Sequence, residues 1–342
     1  MKNEILRRLS ALALGLALLL NAAPLPQAFA VEDDTDASSS DSADSTDTAD
    51  KTAVTTADSD PTVTAAAANA PALDATAALL VSPESDMVLY EKNADEKRYP
   101  ASTTKIMTAL LTLENVSDLS VVVTAEASDF ENVTSDSSNA GIKVGEQVTV
   151  KDLLYALMLP SANEAAYMLA RHVGGSWEQF VDMMNERAAE LGCTGTHFCN
   201  PCGLHEDDHY TTAHDLYLIA REAMKDATFR DIVSTVQHRM AKTNLHEERI
   251  ILTTNQLIFS SFQPWSYANC LGIKTGHTSQ AGNCFVGYAE YGDAKLFSVV
   301  LGCSGSSKEY PTIAASFTDT KSLCQWGFEL SLIHISEPTR RV

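Results

Sequence analysis

A serine and a lysine three positions apart could together provide an activated nucleophile. Ser102 follows Pro100 and precedes an apolar run at residues 106–113, a pattern that indicates the start of a buried helix. Lys105 then lies one helical turn from Ser102, on the same face. A serine hydroxyl is a poor nucleophile until a base removes its proton, and a lysine kept neutral by its surroundings can be that base. The spacing therefore predicts a catalytic Ser102–Lys105 pair.

The pair alone is also compatible with an N-cap serine beside a surface lysine, because such a match is expected about once by chance in a chain this long. Two further motifs favour catalysis. Ser161-Ala162-Asn163 follows an apolar segment and Pro160, so it should form a loop between two helices. Lys274-Thr275-Gly276 precedes a strand-like run at residues 283–289. The three motifs correspond to the signature of serine β-lactamases and penicillin-binding proteins, with Ala162 replacing the usual aspartate.

From about residue 71 to residue 329, the chain resembles the serine-type D-Ala-D-Ala carboxypeptidases, which are low-molecular-mass penicillin-binding proteins of peptidase family S11. Besides the three motifs, the resemblance rests on the stretches at residues 196–205, 209–215 and 272–282. It implies an α+β, β-lactamase/DD-peptidase-like fold, in which a five-stranded antiparallel sheet is flanked by helices and a helical subdomain lies between the terminal strands. The active site would lie where the strand of the third motif meets the helical region.

The hydrophobic pattern indicates the same fold class. Strands at both ends of the domain with helices between them indicate an antiparallel sheet built from both termini. The strands are predicted at residues 77–81, 87–90, 272–275, 284–289 and 295–301, and helices over much of 153–229, including 176–191 and 213–224, with a closing helix at 318–328.

The resemblance also implies the reaction. Ser102 would attack the carbonyl between the two terminal D-alanines of a peptidoglycan stem peptide, with Lys105 as the base, and water would then release the acyl group. A β-lactam mimics the substrate and should inhibit. The implied site residues are a catalytic set and a substrate-binding set: Ser102, Lys105 and Ser161; Asn163, Lys274, Thr275, Gly276 and His277.

Each of these residues has an implied role. Ser161 would relay a proton to the leaving amine, and Asn163 would donate to the amide of the substrate. Lys274 and Thr275 would hold the terminal carboxylate, which Gly276 lets approach the strand edge. The backbone N–H groups of Ser102 and His277 would form the oxyanion hole. Burial and the nearby Lys274 would lower the pKa of Lys105, and no cofactor would be needed.

Alternatives remain on the same scaffold. A D,D-endopeptidase or a β-lactamase would differ in substrate or in deacylation rate, which these motifs do not separate. A non-catalytic penicillin-binding or wall-binding module would predict loss of Ser102, Lys105 or Lys274, and none is lost. One departure concerns the carboxylate: relatives often carry an arginine where this chain has Ser316, and Lys308 is a substitute with little support.

A cluster of histidines and cysteines suggests zinc as a rival interpretation. His197, Cys199, Cys202, His205 and His209 fall within thirteen positions. The same block matches the family with non-ligand residues at the cysteine positions, so a structural loop is favoured and no metal is expected. Asp215 would fix that loop by hydrogen bonds.

The seven cysteines leave the redox state open. Up to three disulfides could form outside the cytoplasm, with Cys199–Cys202, or either residue with Cys193, as the local pairing. All seven could equally stay as thiols in an anaerobic host.

The two ends of the chain differ from the catalytic part, residues 71–329. Residues 1–30 combine basic residues, an apolar run and a small-x-small site, which is typical of a secretory signal peptide, although an uncleaved anchor is the alternative. Residues 31–70 are rich in Asp, Ser, Thr and Ala, which predicts a disordered acidic linker. Residues 330–342 resemble a translated sequencing adapter and are interpreted as non-native.

These features predict a secreted, extracytoplasmic enzyme of the cell envelope. Membrane association would require an uncleaved signal or a C-terminal anchor missing from this sequence. The formal net charge of −21 argues against a nucleic-acid partner.

Overall fold

The structure, a computed structural model, describes the backbone of residues 52–53, 69–134, 137–259 and 263–336 and the side chains of residues 69–330 within those ranges. All described residues belong to one unit, Ala49–Val342. The predicted signal peptide, nearly all of the predicted linker and the last six residues of the predicted tail lie outside the described residues.

Ten strands and eight helices form the described part of the chain. The strands are β1 (Thr52–Ala53), β2 (Ala77–Ser82), β3 (Met87–Lys92), β4 (Val122–Thr124), β5 (Gln147–Thr149), β6 (Gln237–Met240), β7 (Arg249–Leu252), β8 (Cys270–Thr278), β9 (Gly282–Tyr291) and β10 (Ala294–Cys303). The helices are α1 (Lys105–Asn115), α2 (Val150–Met158), α3 (Asn163–Gly174), α4 (Trp177–Glu190), α5 (Ala213–Ala223), α6 (Ala227–Ser234), α7 (Gln256–Phe259) and α8 (Ala315–Ser336).

The main sheet is antiparallel and has the order β1-β3-β2-β10-β9-β8. Its five long strands are the five that the sequence predicts, and the two-residue β1, which lies inside the predicted linker, adds a sixth at one edge. Strand β2 from the start of the domain pairs with β10 from its end, with Val299 opposite Leu79. The predicted α+β architecture is confirmed.

Both faces of the sheet are buried, because side chains alternate between two hydrophobic clusters. Leu79 and Val299 join the cluster that contains the helical region, whereas Leu80 and Val300 join a second cluster that includes residues of α8. Gly327 of α8 lies so close to the sheet that a Cβ there would stand 2.6 Å from Leu80. Apolar packing on both faces fixes the register of the strands.

Helix α1, which directly follows the predicted nucleophile Ser102, lies at the centre of the helical region. Helix α1 is buried along most of its length, and side chains cap the starts of four neighbouring helices. Thr149, Ser176, Thr212 and Asp226 each accept a hydrogen bond from the backbone N–H three residues on. These caps fix where each helix begins and hence the loops between them.

Two small hairpins, β4–β5 and β6–β7, are absent from the sequence prediction. Each strand has only three or four residues, and most of these are at least partly exposed, so no clear alternation marks them. The second hairpin leads into Thr254, which lies beside the third motif. The structure therefore adds four short strands between residues 90 and 272, where the sequence predicts none.

Two further findings concern the described residues as a whole. None of their helices is both long and apolar enough to cross a membrane. All seven cysteines, which lie within the described residues, are free thiols, so neither Cys199–Cys202 nor a pairing of either residue with Cys193 is formed. Five of the thiols are buried, and burial raises the pKa of Cys270 and Cys284 to about 11.

Candidate active site

Ser102 lies on a 3-10 turn, residues Ala101–Thr104, that leads directly into α1. The turn is held by its own side chains, since the Thr103 hydroxyl donates to Pro100 O at 2.7 Å and the Thr104 hydroxyl to Ala101 O at 2.9 Å. Ala101 has a positive φ of 47°, which is uncommon for a residue with a side chain. The predicted nucleophile, Ser102, thus occupies a rigid turn that precedes the helix, close to the predicted position.

Lys105 is fully buried, and its Nζ lies 2.9 Å from Ser102 Oγ, 2.7 Å from Asn163 Oδ1 and 2.7 Å from Cys202 O. Burial lowers the pKa of Lys105 to about 8, partly offset by the negative charges that Cys202 and Glu164 can carry. The amide and carbonyl oxygens can only accept hydrogen bonds. When the amine is neutral, they therefore occupy its two N–H groups and leave its lone pair for the Ser102 hydroxyl.

The Ser161-Ala162-Asn163 loop joins α2 to α3, as predicted. Ser161 is buried with a positive φ of 66°, and its Oγ has no hydrogen-bond partner among the described residues. Asn163 is the first residue of α3, and its backbone N–H donates to Ser138 O at 2.9 Å. The loop therefore has a strained backbone at Ser161, whose hydroxyl makes no hydrogen bond among the described residues. The next residue but one, Asn163, orients Lys105.

Strand β8 brings the third motif to the nucleophile. Lys274 is buried, and its Nζ lies 3.1 Å from Thr275 O and 3.4 Å from Thr275 Oγ1. Burial, and then the charge of Lys105, lower the pKa of Lys274 well below its usual value. A Cβ on Gly276 would stand 2.9 Å from Pro100 O and 3.1 Å from the Ser102 backbone nitrogen, so only glycine lets this strand lie against the nucleophile turn.

A cavity of about 290 Å³ opens over these residues. It brings together the predicted Ser102, Ser161, Thr275, Gly276 and His277, whereas Lys105, Asn163 and Lys274 are buried and do not line it. The cavity is also lined by Ser316, which the sequence analysis names only as the place of an expected arginine. The sequence prediction missed the other lining residues, which are Ser138, Thr254, Asn283, Cys284, Ala314 and Phe317.

This geometry has counterparts among known proteins. Residues 64–305 match peptidase family S11, described as D-alanyl-D-alanine carboxypeptidase. The chain belongs to peptidase family S11. Two curated members of similar sequence are D-alanyl-D-alanine carboxypeptidases: DacF of Bacillus subtilis, 34% identical over 68% of this chain, and an enzyme of Streptomyces sp. strain K15, 35% identical over 71%.

The similarity extends to solved structures. The crystal structure of the Streptomyces K15 DD-transpeptidase superposes with a TM-score of 0.68 at 33% identity, covering 76% of this chain and 99% of that one. In curated sequences the extent varies: the match spans 58% of the Bacillus enzyme, 83% of the Streptomyces enzyme and 62% of DacC of Escherichia coli. The S11 match and these superpositions confirm the predicted family and fold.

Two residues near the S11 site had no motif to reveal them. The Cys202 backbone carbonyl accepts from Lys105, and a carbonyl exists at every position, so sequence carries no signal for it. The Glu164 carboxylate is buried and accepts from the backbone N–H groups of Ala140 at 2.7 Å and Ile142 at 3.4 Å, and burial raises its pKa. The sequence signal that could have revealed Glu164 is its position directly after Asn163.

The histidine and cysteine block supports the nucleophile turn of this S11 member. His209 is buried; its Nδ1 accepts from the Cys199 N–H at 3.0 Å, so its Nε2–H donates to Thr104 Oγ1 at 2.8 Å. Burial, with nearby positive groups, lowers the pKa of His209 to about 3. Both ring nitrogens are thus used within the protein, and no group of three or more potential ligands for a metal ion is found in the described part of the chain.

Asp215 has the structural role that the sequence predicts. Its carboxylate accepts from the backbone N–H groups of Thr194 and Gly195 and from the Thr196 hydroxyl, at 3.3, 2.8 and 2.7 Å. These bonds hold the loop before the histidine and cysteine block.

The residue that stands in place of the expected arginine is now located. Ser316 lines the cavity over Ser102 and is 2% exposed. Lys308, the suggested substitute, lines a separate cavity that also contains Asp74 and Asp319. The structure thus gives no support for Lys308 as a replacement for the arginine at the S11 site.

Proposed function

We propose that this chain is a serine D-Ala-D-Ala carboxypeptidase, which removes the terminal D-alanine from peptidoglycan stem peptides through an acyl-enzyme on Ser102. The observation that carries the proposal is the 2.9 Å contact of Lys105 Nζ with Ser102 Oγ, beside a cavity lined by Thr275 and His277. Membership of the S11 family and the names of its curated relatives support the same substrate class.

Acylation begins with a proton transfer. Neutral Lys105 takes the Ser102 proton while Oγ attacks the carbonyl carbon between the two D-alanines. The backbone N–H groups of Ser102 and His277 donate to the developing oxyanion. The C–N bond then breaks, and the proton passes from Lys105 through the Ser161 hydroxyl to the nitrogen of the departing D-alanine. Ser161 Oγ makes no hydrogen bond among the described residues, so no other group occupies the hydroxyl that this relay requires.

Substrate binding and deacylation complete the cycle. Thr275 donates to the terminal carboxylate, with the charge of Lys274 behind it. Gly276 admits the carboxylate to the strand edge, and Asn163 donates to the amide of the substrate. Water attacks the ester carbonyl and gives a proton to Lys105. Lys105 then passes this proton to Ser102 Oγ as the C–O bond breaks and the shortened peptide leaves. A β-lactam acylates Ser102 in the same way and remains attached after its ring opens, so it inhibits.

The enzyme acts outside the cytoplasm, in the cell envelope, because its substrate is there and residues 1–30 have the pattern of a secretory signal. No cofactor takes part in these steps, and neither does a nucleic acid.

The test is intact-mass analysis of the full chain after incubation with penicillin, followed by peptide mapping and by assay of D-alanine release from a peptide ending in D-Ala-D-Ala. We expect a stable adduct on Ser102, lost in Ser102→Ala, and release of D-alanine by the wild type. An unmodified chain with intact penicillin would contradict the proposal. Consumption of penicillin without an adduct would indicate a β-lactamase instead.

A second candidate is transfer of the acyl group to an amine in place of water. It is favoured by the fold neighbour from Streptomyces K15, whose solved structure is called a DD-transpeptidase. Adding glycine or another amine during turnover separates the two reactions, since a transpeptidase gives a new peptide product and a carboxypeptidase gives the free acid.

A further inference from the structure

Thr254 belongs to none of the three motifs, yet it lines the same cavity as Ser102 and Thr275. It follows β7, and its side chain is exposed. Its backbone N–H donates to Leu159 O at 3.0 Å, and the N–H of Thr253 donates to Val236 O at 2.9 Å. Thr254 is therefore exposed in the cavity, and hydrogen bonds from its own N–H and from that of Thr253 hold its backbone in place.

The hydroxyls of Thr254 and Thr275 form a pair, with their oxygens 2.6 Å apart. The Leu159 carbonyl lies 3.3 Å from Thr254 Oγ1 and can only accept. When the Thr254 proton is donated to Thr275 Oγ1, the Thr275 proton is free for a ligand. When an anion is present, both protons can turn towards it, so the pair offers two adjacent donors.

The cavity offers an anion few other partners. Among the described residues that line it there is neither a lysine nor an arginine. Lys105 and Lys274 are 0% and 1% exposed, so they lie behind its surface. A carboxylate in this cavity therefore finds its direct donors among hydroxyl and backbone N–H groups, with the Lys274 charge close behind Thr275.

We propose that Thr254 is a carboxylate-recognition residue, which donates with Thr275 to the terminal carboxylate of the substrate. The inference rests on the proposed function and adds to it a determinant of specificity. The Thr254 hydroxyl makes the chain selective for leaving groups that carry a free carboxylate. The two hydroxyls can bind the carboxylate in place of a charged side chain, because a hydrogen bond to a charged acceptor is stronger than one between neutral groups.

The test uses two thioesters of an N-acyl-D-alanine in the full-length chain: one has mercaptoacetate as its leaving group, which carries a carboxylate, and the other ethanethiol, which does not. Thr254→Val keeps the branched shape and removes the hydroxyl. We expect its kcat/KM for the mercaptoacetate thioester to fall about tenfold to a hundredfold, and that for the ethanethiol thioester to change less than about twofold. Thr254→Ser should restore most of the loss.

Thr235→Val is the matched control, because it removes the hydroxyl of another threonine, one that is partly exposed, donates to Asp231 O at 2.7 Å and does not line the cavity. It should change neither rate. Equal losses on both thioesters, or no loss on the mercaptoacetate thioester, would overturn the role of Thr254. A wild type that forms no acyl-enzyme on Ser102 with either thioester would contradict the proposed function itself.

Discussion

The site contains two lysines that are equally buried but differently surrounded. Lys105 donates to three oxygens on three different segments, at 2.7 to 2.9 Å. Lys274 has longer contacts, 3.1 and 3.4 Å, with oxygens of its own neighbour Thr275. Burial lowers the pKa of Lys105 to about 8 and that of Lys274 well below its usual value. A buried lysine keeps or loses its proton according to the acceptors around it.

The difference suits two separate tasks. Lys105 can exchange a proton with Ser102 near neutral pH, because its three acceptors hold the amine in one orientation. Lys274 has few acceptors of its own, so an arriving carboxylate is the partner that stabilises its charge. The comparison implies that one lysine serves the chemical step and the other serves binding.

Removing Lys105 should give the largest effect. Lys105→Ala takes away the base and should slow acylation of Ser102 about 10²- to 10⁴-fold. Stopped-flow measurement with a chromogenic β-lactam checks this rate, with Ser102→Ala as the variant that forms no adduct. Near-normal acylation by Lys105→Ala would show that another group removes the proton.

Removing Lys274 should mainly weaken the binding of the substrate. In Lys274→Ala the carboxylate loses a charged partner, so kcat/KM for a peptide ending in D-Ala-D-Ala should fall about tenfold to a hundredfold, chiefly through KM. Steady-state kinetics measure the two parameters. A large fall in kcat with unchanged KM would contradict the division of tasks.

The pH dependence of acylation tests the protonation of Lys105. The base acts when neutral, and its neutral fraction grows as the pH rises, so the rate should increase with pH and level off above about 8. Glu164→Gln removes a neighbouring charge that raises this pKa, while its amide oxygen can still accept from Ala140 and Ile142. The profile should therefore shift to lower pH.

This prediction is checked by acylation rates across the pH range for the wild type and Glu164→Gln, with thermal unfolding to confirm that both are folded. An unshifted profile would mean that Glu164 is uncharged beside Lys105.

The smallest effect is expected for substitution of Asp152, which serves as the reference for the Lys105 and Lys274 variants. This residue lies in α2, and its Oδ1 is 2.7 Å from His238 Nε2. It does not line the cavity, and an asparagine can still accept this hydrogen bond. Asp152→Asn should change kcat/KM by less than about threefold. A larger loss in the same kinetic assay would show that α2 transmits changes to the Ser161 loop.

Much of the fold could be predicted from the sequence, because long apolar patterns mark it. The hairpin of β2 and β3, the nucleophile helix and the final strands all carry strong periodicity. The hairpins β4–β5 and β6–β7 do not, since each strand is short and much of it is exposed. Their positions depend on tertiary contacts, such as the hydrogen bond from the backbone of Gln147 to Asn244.

The candidate site likewise contains residues that the sequence predicts and residues that it does not. Ser102 and Lys105 are three residues apart, so helical geometry alone predicts their contact, and it is confirmed at 2.9 Å. The Cys202 carbonyl and Thr254 reach the site through long-range packing, and no local pattern announces either. The roles given to Ser161 and His277 stay predictions until the variants and adducts are measured.

The pairing of β2 with β10 has a consequence for biosynthesis. Strand β10 leaves the ribosome only after nearly all of the described chain has been made, so β2 must wait for its partner. Ser102 likewise waits for the strand that carries Lys274. Because such distant pairings cost a large loop-closure entropy before their contacts form, this chain should complete its sheet and its site together, late and slowly. A nascent chain halted before β8 would carry the nucleophile but no working site.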